Sequence, residues 1–293
     1  MGNEKTFLDK IQIIETSIDD IEDLMAEHIG TLAYPMDSYL EDRLFESVLY
    51  KIIYEDDCIG YAGRIGELLS YFYVRRGNFR YAPDILEKVI VQKAIKRVFV
   101  ITQDSLLCAL LAEWDYGKEK QACWFTDGGK VEGPGMQMGE VTFRVAAQTD
   151  IGKIRKISSD FFAEEGQVFH NLEDRVAAGV LFVLEDSANL LGCGIIEKSR
   201  FCREIVSIGM FVGEKNRRKG AARTILLHLK KWAYENNLQP VAGCWYYNTL
   251  SRRSLESAGM IATSIGYEAI LEGKENLPKR TGNPPGELVE DRE

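Results

Sequence analysis

Along the second half of the chain, short apolar runs alternate with longer stretches in which apolar residues return every third or fourth position, the pattern of strands alternating with amphipathic helices. The runs predict strands at residues 141–147, 180–185, 191–197, 205–212, 241–247 and 261–271, with the turn formers Asp186, Ser187 and Asn189 joining the second to the third. Helices are predicted at 151–164, opened by Thr149 and Asp150, at 171–178, at about 221–236 and at 250–257. In the third of these, Ile225, Leu226, Leu229, Trp232 and Ala233 share one face. The first half repeats the order: strands at 7–14, 49–54, 59–63, 68–74, 97–102 and 121–126, and helices at 18–29 (capped by Ser17), 37–46, 83–94 and 105–114.

Glycine and proline interrupt all periodicity at 128–135, which places a domain boundary there. The expected division is residues 1–132, residues 139–272, and a polar, proline-rich tail at 273–293 with too few apolar residues to order itself. Two α/β domains of one design follow, each a mixed central sheet flanked by helices.

Composition narrows the functions. A net charge of −9 argues against a general nucleic-acid binder. The longest apolar stretches, 206–212 and 225–229, are far shorter than the roughly 20 residues a membrane helix needs, so no membrane span is expected. The start carries acids close behind it and no long apolar core, which makes the cytoplasm the expected location; Gly2 and Thr6 give only a weak match to an acylation signal. Six cysteines, none two residues from another, read as free thiols, and His28, His170 and His228 are scattered, so no metal is expected.

One island departs from the acidic balance: Lys215, Arg217, Arg218, Lys219 and Arg223, with no acid among them, follow the strand ending Met210-Phe211-Val212 and lead into a helix through Gly220-Ala221-Ala222. A helix N-terminus carries unpaired N–H groups and partial positive charge, so it favours an anion such as phosphate. Gly220 allows close backbone approach, and Ala222 keeps the first turn uncrowded.

Arg217-x-x-Gly220-x-Ala222 resembles the pyrophosphate-binding signature of the GNAT N-acetyltransferase superfamily. A second superfamily element, N-x-x-S followed by a helix and G-F or G-M, recurs 28 residues beyond Gly220 as Asn248, Ser251 and Gly259-Met260. The resemblance implies a tandem arrangement and acetyl-CoA as co-substrate. Met210, Phe211 and Val212 would face its pantetheine arm, Arg217, Arg218, Lys219, Gly220, Ala221, Ala222 and Arg223 its phosphates, and Asn248 and Ser251 would hold it where two parallel strands splay apart. Many members place a tyrosine seven residues after the asparagine to protonate the departing thiolate; here that residue is Leu255. Tyr246 or Tyr247 would take the role, only one of them facing the cleft, with water as the equal alternative. Glu204, at the start of the central strand, is the first candidate base, and Glu197 the second.

In the first half, Arg80 stands where Gly220 stands, Gly77 replaces Arg217, Asp84 adds negative charge to the helix start, and Asp104-Ser105 replaces the asparagine motif. This half reads as a decayed copy that keeps the fold, with shaping the acceptor site or forming a homodimer surface as its remaining roles. The expected function is transfer of an acetyl group from acetyl-CoA to a small-molecule or protein amine. The alternative is a non-catalytic acyl-CoA-binding or regulatory module. In the region that sets the acceptor lie His170 and the acids Glu164, Glu165, Glu173 and Asp174; an acidic lip there would favour a cationic amine, and a charged surface helix is the alternative.

Overall fold

The computed structural model describes residues 7–131, 140–165 and 171–271. The proposed tail, His170 and residues 132–135 of the glycine-rich break lie outside them, as do the side chains of Glu164 and Glu165.

Each half contributes five strands in sequence order before its last: β1 (Ile11–Thr16), β2 (Val48–Tyr54), β3 (Asp57–Ile65), β4 (Leu68–Val74) and β5 (Arg97–Ile101), then β7 (Thr142–Val145), β8 (Leu181–Glu185), β9 (Leu190–Lys198), β10 (Ile205–Val212) and β11 (Gln239–Trp245). The last strands, β6 (Gly117–Asp127) and β12 (Met260–Ile270), change places. All twelve strands form one sheet in the order β1-β2-β3-β4-β5-β12-β6-β11-β10-β9-β8-β7. Thus β12 pairs with β5 and β6, while β6 pairs with β12 and β11. The two domains expected as separate sheets are one sheet, joined by the exchange.

Most neighbours are antiparallel; β4–β5 and β10–β11 are parallel, bridged by helices. Helices α1 (Glu22–Thr31), α2 (Ser38–Glu46), α5 (Ile151–Glu165) and α6 (Leu172–Ala177) pack through apolar cores on one face. On the other lie α3 (Ala82–Gln92), α4 (Ser105–Ala112), α7 (Ala221–Glu235) and α8 (Thr249–Ser257). The expected apolar stripe of α7 holds for Ile225, Leu226, Leu229 and Ala233, all buried. They press so closely on β9 that a Cβ on Gly194 would stand 2.7 Å from Ile225 Cγ2.

One predicted strand moves. Phe7 to Lys10 are helical and β1 begins at Ile11. Phe7 is buried in stacking on Tyr81, and Lys88 Nζ donates to the Ile11 carbonyl at 2.8 Å, so tertiary contacts override the local alternation there.

Candidate functional site

The parallel pair β10–β11 closes only at Ile205–Gln239, Val206–Pro240 and Ser207–Val241. Beyond Ser207 the strands part, and Gly209 and Met210 on β10 are half-exposed while the paired residues before them are buried. The gap opens toward the loop that leads into α7.

That loop is shaped for close approach. Gly220, the N-cap of α7, has φ +88°, and no side chain caps the helix. A single 3-10 turn, Glu214–Asn216, precedes it, and Arg218 also adopts a left-handed conformation, φ +61°. Arg217, Arg218 and Lys219 are exposed, with Arg217 Nε reaching back to the Val212 carbonyl at 3.5 Å. Ala221 is buried and Ala222 half-buried, which leaves the first turn free of bulk. Arg223 Nε donates to the Ser257 carbonyl at 2.9 Å, tying this turn to the end of α8. Cations, an uncapped helix start and a glycine in the left-handed region together favour a polyanion.

Asn248 and Ser251 meet at the start of α8, where the Ser251 backbone N–H donates to Asn248 Oδ1 at 3.0 Å. The asparagine is therefore an N-cap, setting the angle at which the chain leaves β11. Leu255 is buried in the core under α7 and α8. The turn that follows β11 separates the two tyrosines: Tyr246 packs against that same core, whereas Tyr247 is exposed beside Trp245. Lys120 Nζ on β6 donates to Tyr246 Oη at 3.0 Å, and this hydrogen bond holds the phenol below its ordinary pKa, helped by Arg252.

Glu204 is not brought to the gap. It is exposed at the closed end of the strand pair, where its carbonyl accepts from the Gln239 N–H at 2.7 Å. With a rise of about 3.3 Å per residue, a strand start and a splay three residues on are roughly 10 Å apart. Glu197 is better placed, opposite Ser207 in register on the face away from α7. Its carboxylate accepts from Ser38 Oγ at 2.7 Å and pairs with Arg175 at 2.9 Å. Of the other acids expected around the acceptor, Glu173 pairs with Arg155.

Both Lys120 and Ser38 come from the first half, and residue spacing carries no sign of either. Only the strand exchange brings them here. The first half has its own splay, β4–β5 closing at Leu68–Arg97 and Leu69–Val98 alone. There, however, every residue of β4 is buried. The N-cap of α3 is Tyr81, one residue past the expected Arg80. Phe7 stacks on it at 3.7 Å between centroids, and the Arg80 guanidinium lies 4.5 Å from its ring. Asp104, like Asn248, caps its helix, accepting from the Leu107 N–H at 3.0 Å.

Residues 17–128 match the acetyltransferase (GNAT) domain model, and residues 152–260 match that of the acetyltransferase (GNAT) family. The chain belongs to the GNAT acetyltransferases. It carries two GNAT domains in tandem. A GNAT-family acetyltransferase from Colwellia psychrerythraea superposes with a TM-score of 0.79 at 17% identity, covering 90% of this chain and 100% of its own. A GCN5-related N-acetyltransferase from Sphaerobacter thermophilus gives 0.66 at 14%, over 90% and 97%. A tandem GNAT protein from the clavulanic acid biosynthesis pathway gives 0.54 at 8%, over 90% and 99%. At these identities the likeness is one of fold. No curated protein matches the chain. No helix among the described residues of this GNAT protein is long and apolar enough to cross a membrane.

Proposed function

We propose that the second GNAT domain binds acetyl-CoA and transfers its acetyl group to an amine. The observation that carries this reading is Gly220 at φ +88° on an uncapped helix, facing the gap that opens beyond Ser207. The residues present fit the group: Arg217, Arg218, Lys219 and the N–H groups from Gly220 to Arg223 suit its phosphates, and the open edge of Met210 to Val212 suits its pantetheine arm. Bound there, acetyl-CoA would supply an activated acyl group.

The protein's own part is to orient the amine, exclude water and move protons. Tyr246, its phenol made more acidic by Lys120, is the residue we assign to hand a proton to the leaving thiolate. Backbone N–H groups along the unpaired stretch of β10 would polarise the carbonyl. The first domain we read as a decayed copy, because Tyr81, Phe7 and Arg80 crowd the place that Gly220 keeps open.

Titration calorimetry with acetyl-CoA tests the assignment, the expected result being one molecule per chain and none in Gly220→Arg. Two per chain would overturn the asymmetry. Release of CoA thiol across an amine panel tests turnover; binding without release would favour the non-catalytic alternative, for which buried Leu255 in the tyrosine position speaks.

A further inference from the structure

On the sheet face opposite α7, the turn ahead of α2 reaches across from the first domain into the splay of the second. The Ser38 N–H donates to Ser207 Oγ at 2.7 Å, and Ser38 Oγ to Glu197 at 2.7 Å. Asp37, one residue earlier, is buried at 4% exposure, with Oδ1 accepting from the Leu40 N–H at 3.0 Å. Its Oδ2 lies over Gly243 on β11, so close that any Cβ there would collide with it. Gly243 is two residues beyond Val241, where β11 leaves β10, and it is exposed. Beside the carboxylate lies the buried Trp124 indole Nε1, 3.2 Å from the same Cβ position, its N–H drawn toward Asp37. Tyr39 and Trp245 flank the place with exposed rings.

A buried carboxylate whose Oδ2 is turned to one exposed glycine at the splay, between two exposed aromatic rings, is placed to receive a polar group of the acceptor. We propose that the first domain completes the acceptor site of the second, Asp37 receiving the ammonium of a cationic, aromatic-bodied amine and taking its proton. This rests on the acetyl-transfer reading. One N–H bond of the ammonium breaks and its proton passes to Asp37. The freed nitrogen lone pair forms the C–N bond, the thioester C–S bond breaks with its electrons on sulfur, the thiolate takes a proton from Tyr246, and the second proton lost by the nitrogen restores the Tyr246 phenol. Asp37 then releases its proton to solvent, which balances the transfer.

The surroundings suit a proton acceptor. Burial pushes the Asp37 carboxyl up to about 6, against the pull of the Leu40 N–H and the nearby Trp124 indole, and with Glu41 and Glu197 raising it further. Glu41 on α2 is held by Arg200, and Glu197 on β9 by Arg175. Tyr71 on β4, with Arg43 and Tyr39 of α2 around it, and Cys244 on β11 lie within reach of its charge; burial raises the pKa of Tyr71 and of Cys244, so both stay neutral while Asp37 titrates.

Asp37→Asn tests this, because asparagine caps a helix as well as aspartate does. Transfer from acetyl-CoA to phenethylamine, a cation at neutral pH, is compared with transfer to aniline, which is already unprotonated. The expected result is a fall of about 10²-fold or more in kcat for phenethylamine, partly recovered at alkaline pH, with the aniline rate and acetyl-CoA affinity preserved and the melting temperature no lower than that of the native protein. In the native protein, kcat/KM for phenethylamine should rise with pH through about 6. An unchanged Asp37→Asn profile overturns the inference and leaves the acetyltransferase reading intact, as does native turnover with aniline alone. Equal losses with both amines, or with acetyl-CoA affinity, assign Asp37 a structural role and also overturn it. Native protein that acetylates neither amine sinks the reading and this inference with it.

Discussion

At the scale of single residues, the site contains groups whose environment works against them. Gly220 holds a left-handed φ that costs other residues roughly 1–2 kcal/mol. Arg218 accepts the same region at φ +61° although it is not glycine. A strained arginine at an uncapped helix start is consistent with one held in place for an anion. Arg217→Ala and Arg218→Ala should each weaken acetyl-CoA binding by roughly 10- to 100-fold, the worth of one charge-assisted contact, in calorimetric titration. Unchanged affinity in both would remove the loop from the phosphate site. Asp37 gives a second prediction at this scale. Its folded pKa of about 6 lies above the ordinary carboxylate value of 3.8, so the fold prefers it protonated. That preference is fully satisfied below pH 3.8 and is lost as pH rises through 6. An asparagine at this position mimics the protonated carboxyl, so the melting temperature of Asp37→Asn should match the native protein at pH 4 and exceed it above pH 6. The gap has an upper bound on the order of 3 kcal/mol. A variant less stable than the native protein at pH 8 would show the carboxylate to be a stabilising charge.

At the scale of elements, what periodicity could see was local. Strand β10 runs over the residues its apolar run marks, Ile205–Val212, because both its faces are buried everywhere except at Gly209 and Met210 and nothing competes. The glycine loop was legible for a similar reason, a short stretch whose backbone chemistry decides its form, whereas Asn248 was marked only as a cofactor contact and its capping of α8 was not read. Lys230 was not. It lies on the apolar face of α7, buried, and its Nζ reaches Asp127 at 2.8 Å, the Gly129 carbonyl at 2.7 Å and the Ala258 carbonyl at 2.9 Å. Tyr234 Oη donates to the same carboxylate at 2.9 Å, and burial together with this contact raises the tyrosine pKa to a value no neutral buffer reaches. A lysine among leucines reads as a break in the stripe, because its partners are carbonyls distant in sequence. Lys230→Met should cost about 3–5 kcal/mol in urea unfolding, since it leaves Asp127 half-buried and short of its cation. Adding Asp127→Asn should recover much of that loss. If the double variant is no better than the single, the three contacts act independently rather than as one clasp.

For the whole molecule, the consequence of the exchange is that neither domain contains the neighbours of its own last strand. Strand β6 belongs to the first domain by sequence, yet it lies between β12 and β11, both from the second. Strand β12 lies between β5 and β6, both from the first. A β-strand without neighbours leaves its backbone N–H and C=O groups unpaired, and an exposed, apolar edge invites aggregation. The first domain alone would have to withdraw β6 to its own β5 or leave both open. The same argument joins the chemistry to the fold, because Lys120 on β6 reaches Tyr246 of the second domain through the exchanged arrangement. Nothing in the sequence marks this, since the apolar pattern of a strand fixes which face it buries and not which strand lies beside it. Two results should follow. Calorimetric unfolding of the intact chain should show one transition, with van't Hoff and calorimetric enthalpies in agreement, rather than the two expected of independent domains. Residues 1–135 and 136–293, expressed separately, should be insoluble or unfolded, and expressed together they should co-purify as one species that binds acetyl-CoA. A folded, monomeric 136–293 fragment with native acetyl-CoA affinity would show that the second domain can close its sheet without β6, and the first domain would then be dispensable to the site.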